Sequence, residues 1–175
     1  RAISSQKKAS VEFRHPGSKE KDSYERHVLV CAGTGCTSSG SVKIAAKLEE
    51  DIEAKGLKDK VRVIKTGCHG LCALGPVMII YPEAAFYSNM TLEHIEKVVD
   101  EHLIKGNIVT EYLYQETVTD AGVIPMNDTD FYKKQHRVAL KNCGVIDPEN
   151  IDEYIATGGY EALYKALTTM SREDV

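Results

Sequence analysis

The chain has 175 residues, enough for one ordinary domain or a small domain with an appendage, and 42% hydrophobic with 27% charged residues is a globular composition. Lys and Arg number 22 against 26 Asp and Glu, and a net charge of −4 offers no electrostatic footprint for nucleic acid. No apolar run approaches the ~18 residues that span a bilayer, so neither a membrane span nor a nucleic-acid partner is expected.

Residues 1–26 are rich in Lys, Ser, Glu and Gly and read as a flexible or partner-docked lead-in without a signal-peptide core. The run His27–Cys31 then predicts a buried strand, followed by the glycine loop "AGTGCTSSG". A helix is expected from Ser41, its cap, to Gly56, with Ile44, Leu48 and Ile52 on one face. "KVRVIKT" supplies a second strand ending at Gly67. Val77–Tyr81 and Ala85–Ser88 flank a Pro-Glu-Ala turn as a hairpin. A closing helix starts at the cap Thr91 and stops at Gly106, with Leu92, Ile95, Val98, Val99 and Leu103 as its buried stripe. The order β-α-β-β-β-α makes an α/β unit over residues 27–106.

Beyond it, residues 107–130 suit an extended linker or an edge ribbon. "FYKKQHR" is a small basic cluster, best read as a solvated face or partner patch. A helix capped by Asp147, with Pro148 in its first turn and a Gly158-Gly159 stop, precedes another carrying Leu163, Ala166, Leu167 and Met170 on one face. Two such helices bury little by themselves, so the tail is expected to pack on further polypeptide.

The chemistry lies in four cysteines. Cys31 and Cys36 form C-x4-C, and Cys68 and Cys72 form C-x3-C after 31 intervening residues. If the first two strands are parallel neighbours joined by the crossover helix, both loops emerge at the same end of the sheet. Five cysteines in all would leave one over from a pure disulfide framework, and a reducing, cytoplasmic setting favours metal or redox chemistry. Zinc sites use C-x2-4-C knuckles, a range that takes in both pairs, whereas dithiol redox sites prefer C-x-x-C, which neither pair has. A two-iron cluster is wider than one ion, and loops of four and three residues fit a 2Fe–2S cluster best, with zinc, a redox dithiol and core cysteines as the alternatives. Gly33, Gly35, Gly67 and Gly70 would let backbone N–H groups face the sulfurs of a cluster whose oxidised charge is roughly −2. His69 stands alone where Rieske-type ligation needs two histidines, and is read as a loop residue at the rim. Cys143 is read as a small buried side chain.

The segment from His27 to Gly106, with "CAGTGC" and "CHGLCALGPVMIIYP", resembles the thioredoxin-like 2Fe–2S ferredoxin domain. That resemblance implies a thioredoxin-like ferredoxin fold with Cys31, Cys36, Cys68 and Cys72 as the cluster ligands. "FYKKQHRVALKNCGVIDPENIDEYIATGGYEALYKAL" is similar to the opening of the NADH-binding flavoprotein subunit of complex I, NAD-linked hydrogenases and related formate dehydrogenases. Together the two resemble the beta subunit of multimeric, including electron-bifurcating, iron-only hydrogenases. The implied partners are other subunits of a hydrogenase or NADH dehydrogenase-type complex, with homo-oligomers left open. In that family the FMN and NAD(P) loop and a 4Fe–4S motif follow the tail. This chain contains no G-x-G-x-x-G cradle, so those cofactors are expected downstream. Residues 131–175 read as the truncated start of the flavoprotein domain. By itself the chain is expected to carry electrons and to have no catalytic residue.

Overall fold

The computed structural model describes residues 24–175; most of the lead-in lies outside the described residues. β1 (Arg26–Cys31), β2 (Val61–Thr66), β3 (Met78–Tyr81) and β4 (Ala85–Tyr87) form one sheet in the order β2-β1-β3-β4. β1 and β2 are parallel, with Cys31 opposite Thr66, and β3 runs antiparallel to both β1 and β4. The crossover between the parallel strands contains a short α1 (Thr34–Ser38) and a long α2 (Ser41–Ala54). α3 (Leu92–Val98) follows the hairpin and continues as a π-helical turn, Val99–Ile104.

Strand alternation divides the core between two faces. Val28, Val30, Met78, Ile80 and Tyr87 join Ile44, Leu48, Ile52, Ile95, Val98 and Leu103 under the two long helices. Ile79 and Phe86 point the other way, into a second cluster with Val77, Cys31, Cys36, Met126 and Tyr132. The long helices therefore cover one face of the sheet, with Val109 and Leu113 of the later chain packed beside them, while the cysteine loops with Met126 and Tyr132 cover the other. No helix of the described residues is long and apolar enough to cross a membrane.

Several local expectations need correction. Gly40, not Ser41, is the N-cap of α2, with φ +95 where glycine is favoured. Ser41 is already inside the helix, its hydroxyl buried without a partner. Leu92 is exposed, because the buried stripe of α3 begins one turn later at Ile95. The last helices are α5 (Ile151–Ala156) and α6 (Glu161–Thr169), and α5 is capped by Asn150, whose side chain accepts from the Asp152 N–H at 3.0 Å. Asp147 lies in the turn before α5, where it accepts from the Glu149 N–H at 3.0 Å and from Arg62 Nη2 at 2.6 Å. α6 has no buried residue, and Leu163 and Leu167 face outward.

Residues 107–130 pack on the sheet rather than hang free. Leu113 bridges to Tyr87, and Val109, Leu113, Thr117 and Met126 are buried. A two-stranded ribbon, β5 (Val118–Thr119) with β6 (Gly122–Val123), and the short α4 (Asp130–Lys133) follow. Residues 132–147 then return to the cysteine end of the sheet.

Candidate metal centre

Parallel pairing of β1 and β2 fixes the site. Cys31 is the last residue of β1, Cys36 sits in α1, Cys68 comes two residues after β2, and Cys72 opens the 3-10 turn Cys72–Leu74. The Ala32 N–H donates to the Thr66 carbonyl at 2.8 Å, so the ladder holds the strands together up to the point where both loops leave the sheet. The two loops interlock through glycines. A Cβ on Gly33 would lie 2.8 Å from Cys68 Cβ, and one on Gly35 would lie 3.1 Å from Cys72 Cβ. Gly75, which precedes a cis bond to Pro76, stands equally close to Cys36, with its Cβ position 2.8 Å from that Sγ.

Within the second pair, Cys68 Sγ and Cys72 Sγ are 3.6 Å apart. A tetrahedral metal with bonds of about 2.3 Å to two sulfurs spreads them by about 3.7 Å, so this pair can clasp one ion. Cys31 and Cys36 both pack in the buried cluster with Val77, Ile79 and Phe86. All five cysteines are free thiols. Among the described residues, no group of three or more His, Cys, Asp and Glu side chains closes on a single ion.

Burial grades across the site. Cys31 and Cys36 are buried, Cys68 is half-buried and Cys72 is exposed. Burial pushes the Cys31 thiol up to about 11, against the backbone N–H groups of His69 and Gly33 that face it. The Cys72 thiol is raised chiefly by its hydrogen bond with Cys68. The Cys31 and Cys72 thiols are thus held protonated, and a bound cationic centre would favour their thiolate forms. Gly70, at φ +91, aims its N–H at Cys68 Sγ at 3.3 Å, as expected of a donor to an anionic sulfur.

Two other expectations change. His69 is buried at 3% exposure, not on the rim, and its ring meets Phe86 edge-on at 6.3 Å between centroids. Burial, aided by the Arg137 charge, pushes it down to about 4, so it is neutral. Cys143 is half-buried beside the site, because Gly67 leaves room for it: a Cβ there would lie 2.8 Å from the Cys143 Sγ. The later chain closes over this side through further contacts. Tyr132 donates to the His69 carbonyl, Gly144 N–H donates to Thr66 Oγ1 at 2.9 Å, and a Cβ on Gly144 would overlap the His69 ring. Nothing in the spacing of Tyr132, Cys143 and Gly144 signals this approach. It emerges only when the ribbon folds back.

Comparison with known proteins gives a consistent result. Residues 18–103 match the family model described as thioredoxin-like [2Fe-2S] ferredoxin. A 2Fe-2S ferredoxin of Clostridium pasteurianum is 32% identical over 93 residues, which span 49% of this chain and 91% of that protein. The NADP-reducing hydrogenase subunit HndC of Solidesulfovibrio fructosivorans is 56% identical over 50 residues, 29% of this chain but only 10% of that subunit. Among solved structures, a thioredoxin-like [2Fe-2S] ferredoxin from Aquifex aeolicus aligns with a TM-score of 0.49 at 26% identity, covering 52% of this chain and 91% of that one.

Proposed function

The chain belongs to the thioredoxin-like [2Fe-2S] ferredoxin family, and from that membership we propose that Cys31, Cys36, Cys68 and Cys72 hold one 2Fe–2S cluster in a one-electron carrier. The observation that carries this reading is the interlocking of the two cysteine loops through Gly33 and Gly35, which sets both thiol pairs at one end of the sheet. Two pairs side by side suit a two-iron rhomb better than a single zinc ion. When bound, such a cluster takes up and releases one electron without making or breaking substrate bonds.

The chain's own residues supply the rest. Cys31 with Cys36 form an inner pair and Cys68 with Cys72 an outer one. The Gly70 N–H is directed at the Cys68 sulfur. Val77, Ile79 and Phe86 keep water from the inner pair. Cys72, on the exposed edge, is the side through which a partner exchanges electrons. The high identity to a short part of a hydrogenase subunit supports work inside a multi-subunit, NAD(P)-linked oxidoreductase, and we place that assembly in the cytoplasm. Flavin and nucleotide chemistry then belongs to other parts of that assembly.

The test is anaerobic reconstitution with iron and sulfide, followed by iron and acid-labile sulfide analysis and EPR of the dithionite-reduced protein. A reddish-brown product with equal iron and sulfide, and an EPR signal on reduction, is expected. A colourless product, or one that binds zinc alone, overturns the proposal.

A further inference from the structure

Arg26 and Arg62 both pair with carboxylates, whereas no described carboxylate lies within ion-pair distance of Arg137. Arg137 is half-buried, and its contacts among the described residues are all with neutral groups. Its Nη1 donates to the Cys143 carbonyl at 3.4 Å, its Nη2 donates to Asn127 Oδ1 at 3.3 Å, and the guanidinium lies 5.3 Å from the centre of the Tyr132 ring. Two of these anchors also touch the second cysteine loop, on either side of Cys68. Cys143 packs on Gly67, and Tyr132 binds the carbonyl of His69. A cation with no counter-charge among the described residues is thus fixed beside the loop that carries the outer cysteine pair.

We propose that Arg137 is a positioning charge that raises the electron affinity of the four-cysteine site. This rests on the reading of that site as an electron carrier. Four thiolates and their metal centre carry net negative charge, and each electron taken up adds one more. A fixed cation nearby stabilises the reduced state more than the oxidised one, and partial burial strengthens the effect relative to water. The family match ends at residue 103. Arg137 therefore belongs to the later chain, which contributes to the site's electrostatics as well as its cover.

The experiment is a redox titration of the full reconstituted chain, followed by visible absorption and EPR, for the parent and the variants Arg137→Lys, Arg137→Gln and Arg137→Glu. Gln is expected to lower electron affinity about tenfold, about 59 mV for a one-electron couple. Lys should stay close to the parent, and Glu should fall below Gln. A purely structural role would not order the variants by charge. Asn127→Asp gives an independent arm, since it leaves Arg137 in place and sets a carboxylate beside Nη2; it too should lower the potential. Loaded variants that all share the parent's potential overturn the role of Arg137 alone. A parent that takes up no cluster overturns the electron-carrier reading and this one with it.

Discussion

Gly33 and Cys68 touch across the two cysteine loops, so closely that a Cβ on Gly33 would lie 2.8 Å from Cys68 Cβ and 3.2 Å from its Cα. Neither atom is the far end of a flexible side chain, so one loop would have to move. Gly33→Ala is expected to cost about 1–3 kcal/mol and to lower iron uptake. Gly40→Ala is the contrast: it meets open space but has φ +95, so it should cost about 1–2 kcal/mol in backbone strain and leave uptake unchanged. Urea midpoints and iron per chain, measured on both, separate the two effects.

Replacing any of Cys31, Cys36, Cys68 or Cys72 by Ser is expected to abolish or sharply reduce the visible chromophore after reconstitution. Cys143→Ser should retain it, although Cys143 lies against Gly67. Iron and sulfide analysis of the five variants checks the assignment. A loss with Cys143→Ser equal to the others would contradict it.

At the opposite end of the sheet, Glu83 accepts from Arg26 Nη2 at 3.0 Å, and its other oxygen faces His102 Nε2 at 3.5 Å. Burial pushes the carboxyl up, but His102, the Glu83 backbone N–H and Arg26 together hold it down at about 2. A depressed carboxylate stabilises the fold above its ordinary value of 4.5, and that stability is lost as pH falls toward 2. With allowance for solvent screening of a partly exposed group, about 1–2 kcal/mol should disappear over this window. Glu83→Gln is expected to lower stability at neutral pH and to flatten its fall between pH 4.5 and 2, read by chemical denaturation at a series of pH values.

The Val109 N–H donates to the Tyr87 oxygen at 3.2 Å, which leaves the Tyr87 hydroxyl hydrogen for His102 Nδ1 at 2.8 Å. The other ring nitrogen, Nε2, faces Glu83. Tyr87→Phe removes the shared oxygen and strands two buried polar groups. A loss of about 1–3 kcal/mol is expected, measured by urea unfolding with the cluster site intact.

The ferredoxin unit was largely legible because its signals are local. Apolar runs marked β1 and β2, spacing of apolar residues marked α2 and α3, and Gly56 and Gly106 marked the helix ends, both at positive φ. The meeting of the two cysteine pairs followed from parallel pairing, a topological rule that needs no distances. What sequence could not reveal depends on competition among distant partners. Asp147 fits a helix cap by type, but it serves the turn before the helix and Arg62 on β2, and Asn150 caps α5. His69 and Cys143 look like a loop residue and a lone core thiol until Tyr132 and Gly144 fold across them. Small residues and single hydrogen bonds leave no periodic trace.

The graded exposure from Cys31 and Cys36 to Cys72 also has a cost. An edge open to a redox partner is equally open to dioxygen and peroxide, and sulfur oxidation follows access. Oxidative damage in air should therefore begin at Cys72 and reach Cys31 and Cys36 last, so tight docking on that edge would shield the protein while it works.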